Sequence, residues 1–382
     1  MPIDPPFLLD RRSFIAAPIA AAMLSSEASA AAAGGTVYTG DILQGKKVVS
    51  ALDINDLEPG RKHLLYFRGV QTATGQHWHV SVIVARGRAP GKRITLTSGV
   101  HGDEMSSIRT VQMVMDQLDP EKMSGSVMAV LDIASPALET MQRRWPNQGR
   151  GIDLVDMNRE WPGNENGASA TARHAGLVFN RLLRPNSDIA IDFHTGTTGL
   201  ECSDFIIANR QIPEVKTLID LYPVRQVWDS PAYPGVLHNA FVDAGIPSIC
   251  PEVGAARILD HDLIKPFVEG TLNVLKHHGV IGGSIGRTGA ESGVFIGNDA
   301  APILATHGGF IEHLVKINEK VTAGQKVIVQ RNSFGEVVAE YASPVTGEVG
   351  AIRSDASSEP GNVLMFILFT HTPPDAAASY PE

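Results

Sequence analysis

Between residues 63 and 278 the chain alternates short β-branched, apolar runs with segments of helical period, and this alternation limits the fold more than any other feature. Residues 63–67, 79–85, 94–97, 127–133, 188–193, 205–208, 224–228 and 246–250 read as strands. Between them, Ile108, Val111, Met115 and Leu118 mark one face of a helix that Ser106 or Ser107 is placed to cap. Segments 168–183, 214–221, 236–244 and 262–278 are helical by the same criterion, the last with Leu263, Phe267, Leu272 and Leu275 on its apolar side. Strands alternating with helices predict an α/β fold, a mixed or largely parallel twisted sheet with helices on both faces. Residues 36–60 are polar and Gly-punctuated and receive no element.

The pattern changes at a Gly/Ser-rich join, residues 282–297. Beyond it the helical period vanishes, and short strands follow at 309–313, 326–330, 337–341, 347–352 and 363–368, with turns such as Thr322-Ala-Gly324 and Ser343-Pro344 between them. This predicts a small all-β C-terminal domain over 299–372, after an α/β domain over 36–282. A chain of 382 residues, 43% hydrophobic and 19% charged, can bury such cores, and its net charge of −9 argues against nucleic acid and anionic membranes as partners.

Residues 1–30 read as a segment outside the fold. Arg11-Arg12 precede Ser13-Phe14-Ile15, a modest apolar run from Ala16 to Leu24, and small residues ending Ala28-Ser29-Ala30. Twin arginines, a short apolar run and an A-x-A site predict a twin-arginine export signal and a periplasmic protein, with a disordered cytoplasmic tail as the alternative. The run is too short for a stable membrane anchor. The two cysteines, Cys202 and Cys250, either pair in an oxidising periplasm or stay as reduced core thiols.

Candidate chemistry gathers at strand ends. The run Ile94-Thr-Leu-Thr97 passes through Ser98-Gly99 to His101 and Glu104, His194 follows the 188–193 strand, and Glu252 follows the 246–250 strand. In open α/β sheets, sites form outside the carboxyl ends of the strands. Two histidines and a carboxylate, His101, Glu104 and His194, have the composition of a catalytic zinc site with a fourth position for water. Such an ion brings the pKa of bound water towards neutrality, and Glu252 is placed to take its proton and pass it to a leaving nitrogen. The segment 134–167, too long for an idle connection, supplies Arg143, Arg144, Arg150 and Arg159, with Asn158 beside the last. Arginines suit a bidentate grip on a carboxylate and an oxyanion. Asp156 and Asp192 are candidate acceptors for the N–H groups of the ligands. His77 and His79 share a strand face and form a weaker metal pair.

Four motifs in order, Val100-His-Gly-Asp-Glu104, Asp156-Met-Asn-Arg159 with Trp161-Pro-Gly163, Asp192-Phe-His-Thr-Gly196 and Pro251-Glu-Val-Gly254, carry a resemblance. The chain resembles the succinylglutamate desuccinylase/aspartoacylase family, a branch of the zinc carboxypeptidase superfamily. The resemblance implies one Zn²⁺ per chain on His101, Glu104 and His194, with Glu252 as general base and acid. It further implies that Asn158 and Arg159 hold a substrate carboxylate and that Arg144, chosen over Arg143 for its neighbour Trp145, polarises the scissile carbonyl. The C-terminal unit is similar to the barrel-sandwich domains of biotinyl and lipoyl carriers, through Val321-Thr-Ala-Gly-Gln325 and Ser343-Pro-Val-Thr-Gly347, but has no lysine to modify at the expected hairpin.

The expected activity is zinc-dependent hydrolysis of the amide bond of a small N-acyl amino acid, with metal-bound water attacking the acyl carbonyl. An exported metallocarboxypeptidase on peptides or cell-wall fragments is the alternative, and a non-catalytic periplasmic binding protein the lesser one. The acyl group, the amino acid and the oligomeric state stay open.

Overall fold

In a computed structural model that describes residues 34–149, 151–230 and 233–371, the predicted alternation becomes an eleven-stranded mixed sheet. The expected export signal at 1–30, Arg150 and residue 372 lie outside the described residues. The chain opens with β1 (Val37–Leu43), β2 (Lys46–Ala51), β3 (Arg61–Gln71), β4 (His77–Arg86) and β5 (Ala89–Thr97). Helix α1 (Met105–Asp116), β6 (Ser124–Val130) and the short α2 (Ser135–Glu139) follow. A hairpin of β7 (Trp145–Gly149) and β8 (Gly151–Val155) precedes α3 (Ala170–Val178) and β9 (Ile189–Asp192). After β10 (Leu200–Cys202) come β11 (Asp204–Ala208), α4 (Pro213–Asp220), β12 (Gln226–Asp229), α5 (Leu237–Asp243), β13 (Ser248–Val253) and α6 (His261–His277). A last turn of helix, α7 (Gly289–Ser292), leads to β14 (Phe295–Gly297).

The sheet runs β1-β2-β3-β4-β6-β5-β9-β13-β11-β12-β14, and its middle, β6-β5-β9-β13, is parallel. Parallel central strands are buried on both faces, as all of β9 and the stretch Ile94–Thr97 of β5 are. One face packs on α1, α4 and α6 through Val111, Val114, Leu218, Phe267 and Val274. The other packs on α3 and α5 through Ala175, Val178, Leu237 and Phe241. Among the described residues no helix is long and apolar enough to cross a membrane.

Residues 36–60, given no element from sequence, hold β1 and β2. Both sit at the edge of the sheet, β1 mostly exposed and β2 burying only the short stretch from Val48 to Ala51, so neither shows a sustained period. The β7–β8 hairpin inside 134–167 was likewise not expected.

The C-terminal strands are β15 (Asp299–Leu304), β16 (Gly309–His313), β17 (Lys320–Val321), β18 (Lys326–Arg331), β19 (Val337–Ala342), β20 (Gly347–Arg353), β21 (Ser357–Ser358) and β22 (Val363–Phe369). They form two sheets, β10-β20-β22-β15 with β17 on β20, and β19-β18-β16-β21, closed over Val327, Val349, Leu364 and Ile367. The two units are interlocked: β10 from the α/β part extends the C-terminal sheet, while β14, from the predicted join, completes the large sheet. Gln226 on β12 donates to both Glu348 Oε2 (3.2 Å) and the Val349 carbonyl (3.2 Å), and the Ser203 amide donates to the Gly350 carbonyl (2.9 Å). These contacts hold the C-terminal strands against the β11–β12 side of the large sheet.

Candidate active site

The turn after β5 is dictated by two glycines. Gly99 has φ +68°, and a Cβ there would lie 2.6 Å from the Leu131 carbonyl oxygen. At Gly102 a Cβ would stand 2.0 Å from the carbonyl carbon of Ala137, so only glycine lets this loop rest on α2. The chain can then turn His101 back over the strand ends and start α1 immediately after Glu104. Glu104, not Ser106 or Ser107, takes the N-cap position of α1, and its carboxylate points into the site instead of capping. The two serines lie inside the first turn, with Ser107 Oγ donating to the Glu104 carbonyl (2.6 Å) and Ser106 Oγ to the Ile258 carbonyl (2.9 Å). His194 is held just past β9 by its own amide, which donates to the Pro251 carbonyl (2.8 Å), and by the Val253 amide donating to its carbonyl (2.9 Å).

Three buried side chains therefore converge. His101 Nδ1 lies 2.6 Å from Glu104 Oε1, His194 Nδ1 lies 2.9 Å from Glu104 Oε2, and the two Nδ1 atoms are 3.2 Å apart. The opposite ring nitrogens face carboxylates: His101 Nε2 is 3.1 Å from Asp156 Oδ1, and His194 Nε2 is 3.1 Å from Asp192 Oδ2. With each Nε2 turned to a carboxylate, both Nδ1 atoms face one another and Glu104, and neutral imidazoles so placed would present their lone pairs to a single point. Such a cluster of lone pairs is repulsive unless a cation sits among them. Donors about 2.0–2.1 Å from a tetrahedral ion stand about 3.3 Å apart, close to the imidazole separation here. The residues fit zinc, and among the described residues this is the one group of His, Cys, Asp and Glu that meets the geometry of a metal site. His77 and His79 do not join it: His77 Nδ1 is 2.9 Å from the Gly69 carbonyl oxygen.

The electrostatics follow. Burial pushes the Glu104 carboxyl up, but the charge and hydrogen bonds of His101 and His194 outweigh it and hold the group well below the usual carboxylate range. Asp156 is depressed likewise: burial opposes, and His101 and Arg143 prevail. Glu252 behaves in the opposite sense. Burial dominates and, with the negative charge of Glu104 adding and His194 opposing, pushes its carboxyl up to about 8. Two carboxylates in one site, driven apart in pKa, are what a ligand and a proton-transfer group require.

One cavity of about 320 Å³ is lined by His101, Glu104, His194, Glu252, Asn158 and Arg159 but not by Arg144. Arg144 is exposed, and Arg143 occupies the place expected of it. Its guanidinium reaches Asp156 Oδ2 (3.2 Å), Glu104 Oε1 (3.4 Å) and His101 Nδ1 (3.3 Å). Trp145, the reason for preferring Arg144, instead buries its ring against His174, 4.9 Å between centroids. The chain turns at Met141 (φ +48°), and with both Arg143 and Trp145 inward, Arg144 is left outward. Asp156 caps the 3₁₀ turn Met157–Arg159 by accepting from the Asn158 amide (2.9 Å). Asn158 Oδ1 accepts from the Leu237 amide (2.9 Å), and its Nδ2 lies 3.4 Å from His194 Nε2. Arg159 Nη1 donates to the Asn158 carbonyl (2.7 Å).

Cys202 and Cys250 are free thiols in the wall of the cavity. Burial pushes both thiols well up, so neither is a nucleophile. Sequence reasoning missed His238 on α5, buried in the cavity wall with neither ring nitrogen bonded among the described residues. Its pKa falls to about 4 through burial, so it is neutral. It also missed the part played by β20 and β22, which supply the far wall; nothing local marks those residues.

Residues 90–278 match the succinylglutamate desuccinylase/aspartoacylase catalytic domain. The N-alpha-acetyl-L-2,4-diaminobutyric acid deacetylase of Halomonas elongata is 26% identical over 299 residues, spanning 75% of this chain and 84% of that protein. Among solved structures, the succinylglutamate desuccinylase/aspartoacylase of Rhodobacter sphaeroides superposes with a TM-score of 0.71 at 20% identity, covering 83% of this chain and 98% of that one. The product-bound ectoine utilization protein EutE (DoeB) of Ruegeria pomeroyi gives 0.72 at 18% identity, covering 88% and 99%. The four motifs gather on one cavity, and the part of the chain that carries them, residues 90–278, is a succinylglutamate desuccinylase/aspartoacylase catalytic domain.

Proposed function

We propose that this chain is a zinc-dependent hydrolase of the amide bond in a small N-acyl amino acid. The observation that carries the reading is the facing of His101 Nδ1, His194 Nδ1 and a Glu104 carboxylate, each imidazole backed by an aspartate, beside a carboxyl raised to about 8. The family and the deacetylase activity of the Halomonas relative support it. Zinc bound there would supply Lewis acidity and lower the pKa of a bound water.

The remaining steps belong to the protein. Arg159, whose guanidinium donates to the Asn158 carbonyl and forms no ion pair among the described residues, takes the substrate carboxylate with Asn158 beside it. Arg143 stabilises the negative charge that develops on the carbonyl oxygen as the C–N bond is attacked. Glu252 accepts the proton of the attacking water and returns it to the nitrogen as the C–N bond breaks, leaving a carboxylic acid and a free amine. Asp156 and Asp192 keep both imidazoles in the Nε2–H tautomer.

The test is hydrolysis of N-acetyl, N-succinyl and longer N-acyl amino acids alongside short peptides with free carboxyl termini. Release of simple carboxylic acids is expected. Cleavage of the peptides alone would make the protein a metallocarboxypeptidase. The Arg11-Arg12 segment further supports export to the periplasm; Arg11→Lys with Arg12→Lys should strand the precursor in the cytoplasm, and normal processing would refute it.

A further inference from the structure

The cavity has two chemically different sides. One side, formed by Arg159 and Asn158, carries a guanidinium that pairs with no carboxylate among the described residues. Arg143, the other lining arginine, is already engaged by Glu104 and Asp156. The opposite side begins at Glu252 and is set by strand register. Glu252 on β13 pairs with Phe205 on β11, which pairs with Gln226 on β12, and Cys250, Ile207 and Trp228 form the adjacent row. Because side chains alternate across a strand, these rows share one face, while Ile206 and Val227 between them, and Ile249 beyond Cys250, enter the main core. The C-terminal unit closes this space with Ala351, Phe366 and Leu368.

No cation lies on that side among the described residues. Its polar atoms without partners among the described residues, Gln226 Oε1 and Trp228 Nε1, are neutral, and behind them the Glu348 carboxylate lies 3.2 Å from Gln226 Nε2. A carboxylate at the end of an acyl chain would there lose its water, meet no cation and face a negative group. A hydrocarbon chain would gain burial against Phe205, Ile207 and Phe366.

We infer that the substrate's acyl group is uncharged, predominantly apolar and longer than acetyl, and lies between β11–β12 and the C-terminal unit. The inference rests on the deacylase reading above and narrows it away from the succinyl group. Each methylene buried should raise kcat/KM about fourfold, on the order of two hundredfold from acetyl to hexanoyl.

The experiment compares kcat/KM for N-acetyl, N-butanoyl, N-hexanoyl and N-succinyl derivatives of one amino acid, then varies the amino acid at fixed acyl group. A rise with chain length, with succinyl the poorest, is expected. A flat series, a preference for succinyl, or a length dependence that appears only in the amino-acid side chain would overturn the inference while leaving the deacylase reading intact. No cleavage of any member would overturn that reading instead. Binding of acetate, hexanoate and succinate to the zinc-loaded protein, followed by calorimetry, judges the wall without turnover: hexanoate should bind tightest, and succinate binding tightest would refute it. Ile207→Trp should lower the hexanoyl-to-acetyl ratio of kcat/KM at least tenfold, and an unchanged ratio would count against the wall.

Discussion

Replacing Glu252 with glutamine isolates the group asked to move a proton. The amide matches the carboxylate in shape but has no basic oxygen, so turnover should fall by a factor of about 10²–10⁴, or about 3–5 kcal/mol of barrier. Metal content should not change, because Glu252 is not among the proposed donors His101, Glu104 and His194. The same variant carries a second signature in stability. The carboxyl of Glu252 rises from an ordinary 4.5 to about 8 in the folded, metal-free protein, because burial disfavours its charge. Between those values the folded state holds a proton that the unfolded state has released. Its contribution is therefore complete below about pH 4.5 and is lost as pH rises through about 8. The ceiling on that loss is about 5 kcal/mol. Glu252 is only half-buried in the cavity wall, and solvent screening reduces the expected loss to about 1–2 kcal/mol. Urea unfolding of the metal-free proteins at pH 5 and pH 8 reads it directly. Glu252→Gln should gain on wild type by about 1–2 kcal/mol between the two pH values. Turnover within tenfold of wild type, or a stability difference that does not move with pH, would refute the reasoning.

Three further outcomes follow from the geometry. Arg143→Ala should reduce kcat about 10²–10³-fold, whereas Arg144→Ala should change it less than about twofold, as steady-state kinetics would show. Asp156→Asn and Asp192→Asn should each weaken zinc binding about 10–100-fold in a competitive chelator titration, by releasing the tautomer and orientation of His101 and His194. Gly102→Ala places a methyl group 2.0 Å from the Ala137 carbonyl carbon and should cost about 3 kcal/mol, seen as a lowered melting temperature.

The α/β core was legible because its strands are buried on both faces and its helices carry one apolar stripe, and both conditions write strong periods into the sequence. The edge strands β1 and β2 lack them, and β15, with Pro302 inside it, was hidden by a residue that ordinarily argues against a strand. The interlocking of the two units through β10 and β14 depends on pairings between distant segments that no local pattern encodes. The convergence of His101, Glu104 and His194 was readable because these residues follow the ends of strong strands. Choosing between Arg143 and Arg144 required the direction of a single turn, which the left-handed Met141 and the seat of Trp145 against His174 decide. His238 and the wall from β20 and β22 reach the cavity only through tertiary packing.

The central claim is that one metal ion on His101, Glu104 and His194 is required for amide hydrolysis. It is tested most directly by titrating zinc into chelator-treated protein while following release of carboxylic acid from an N-acyl amino acid. Turnover should be negligible without metal, rise linearly to a plateau at one equivalent per chain, and not recover in Glu104→Ala or His194→Ala. Full turnover in the metal-free protein, or recovery by zinc in those variants, would contradict it.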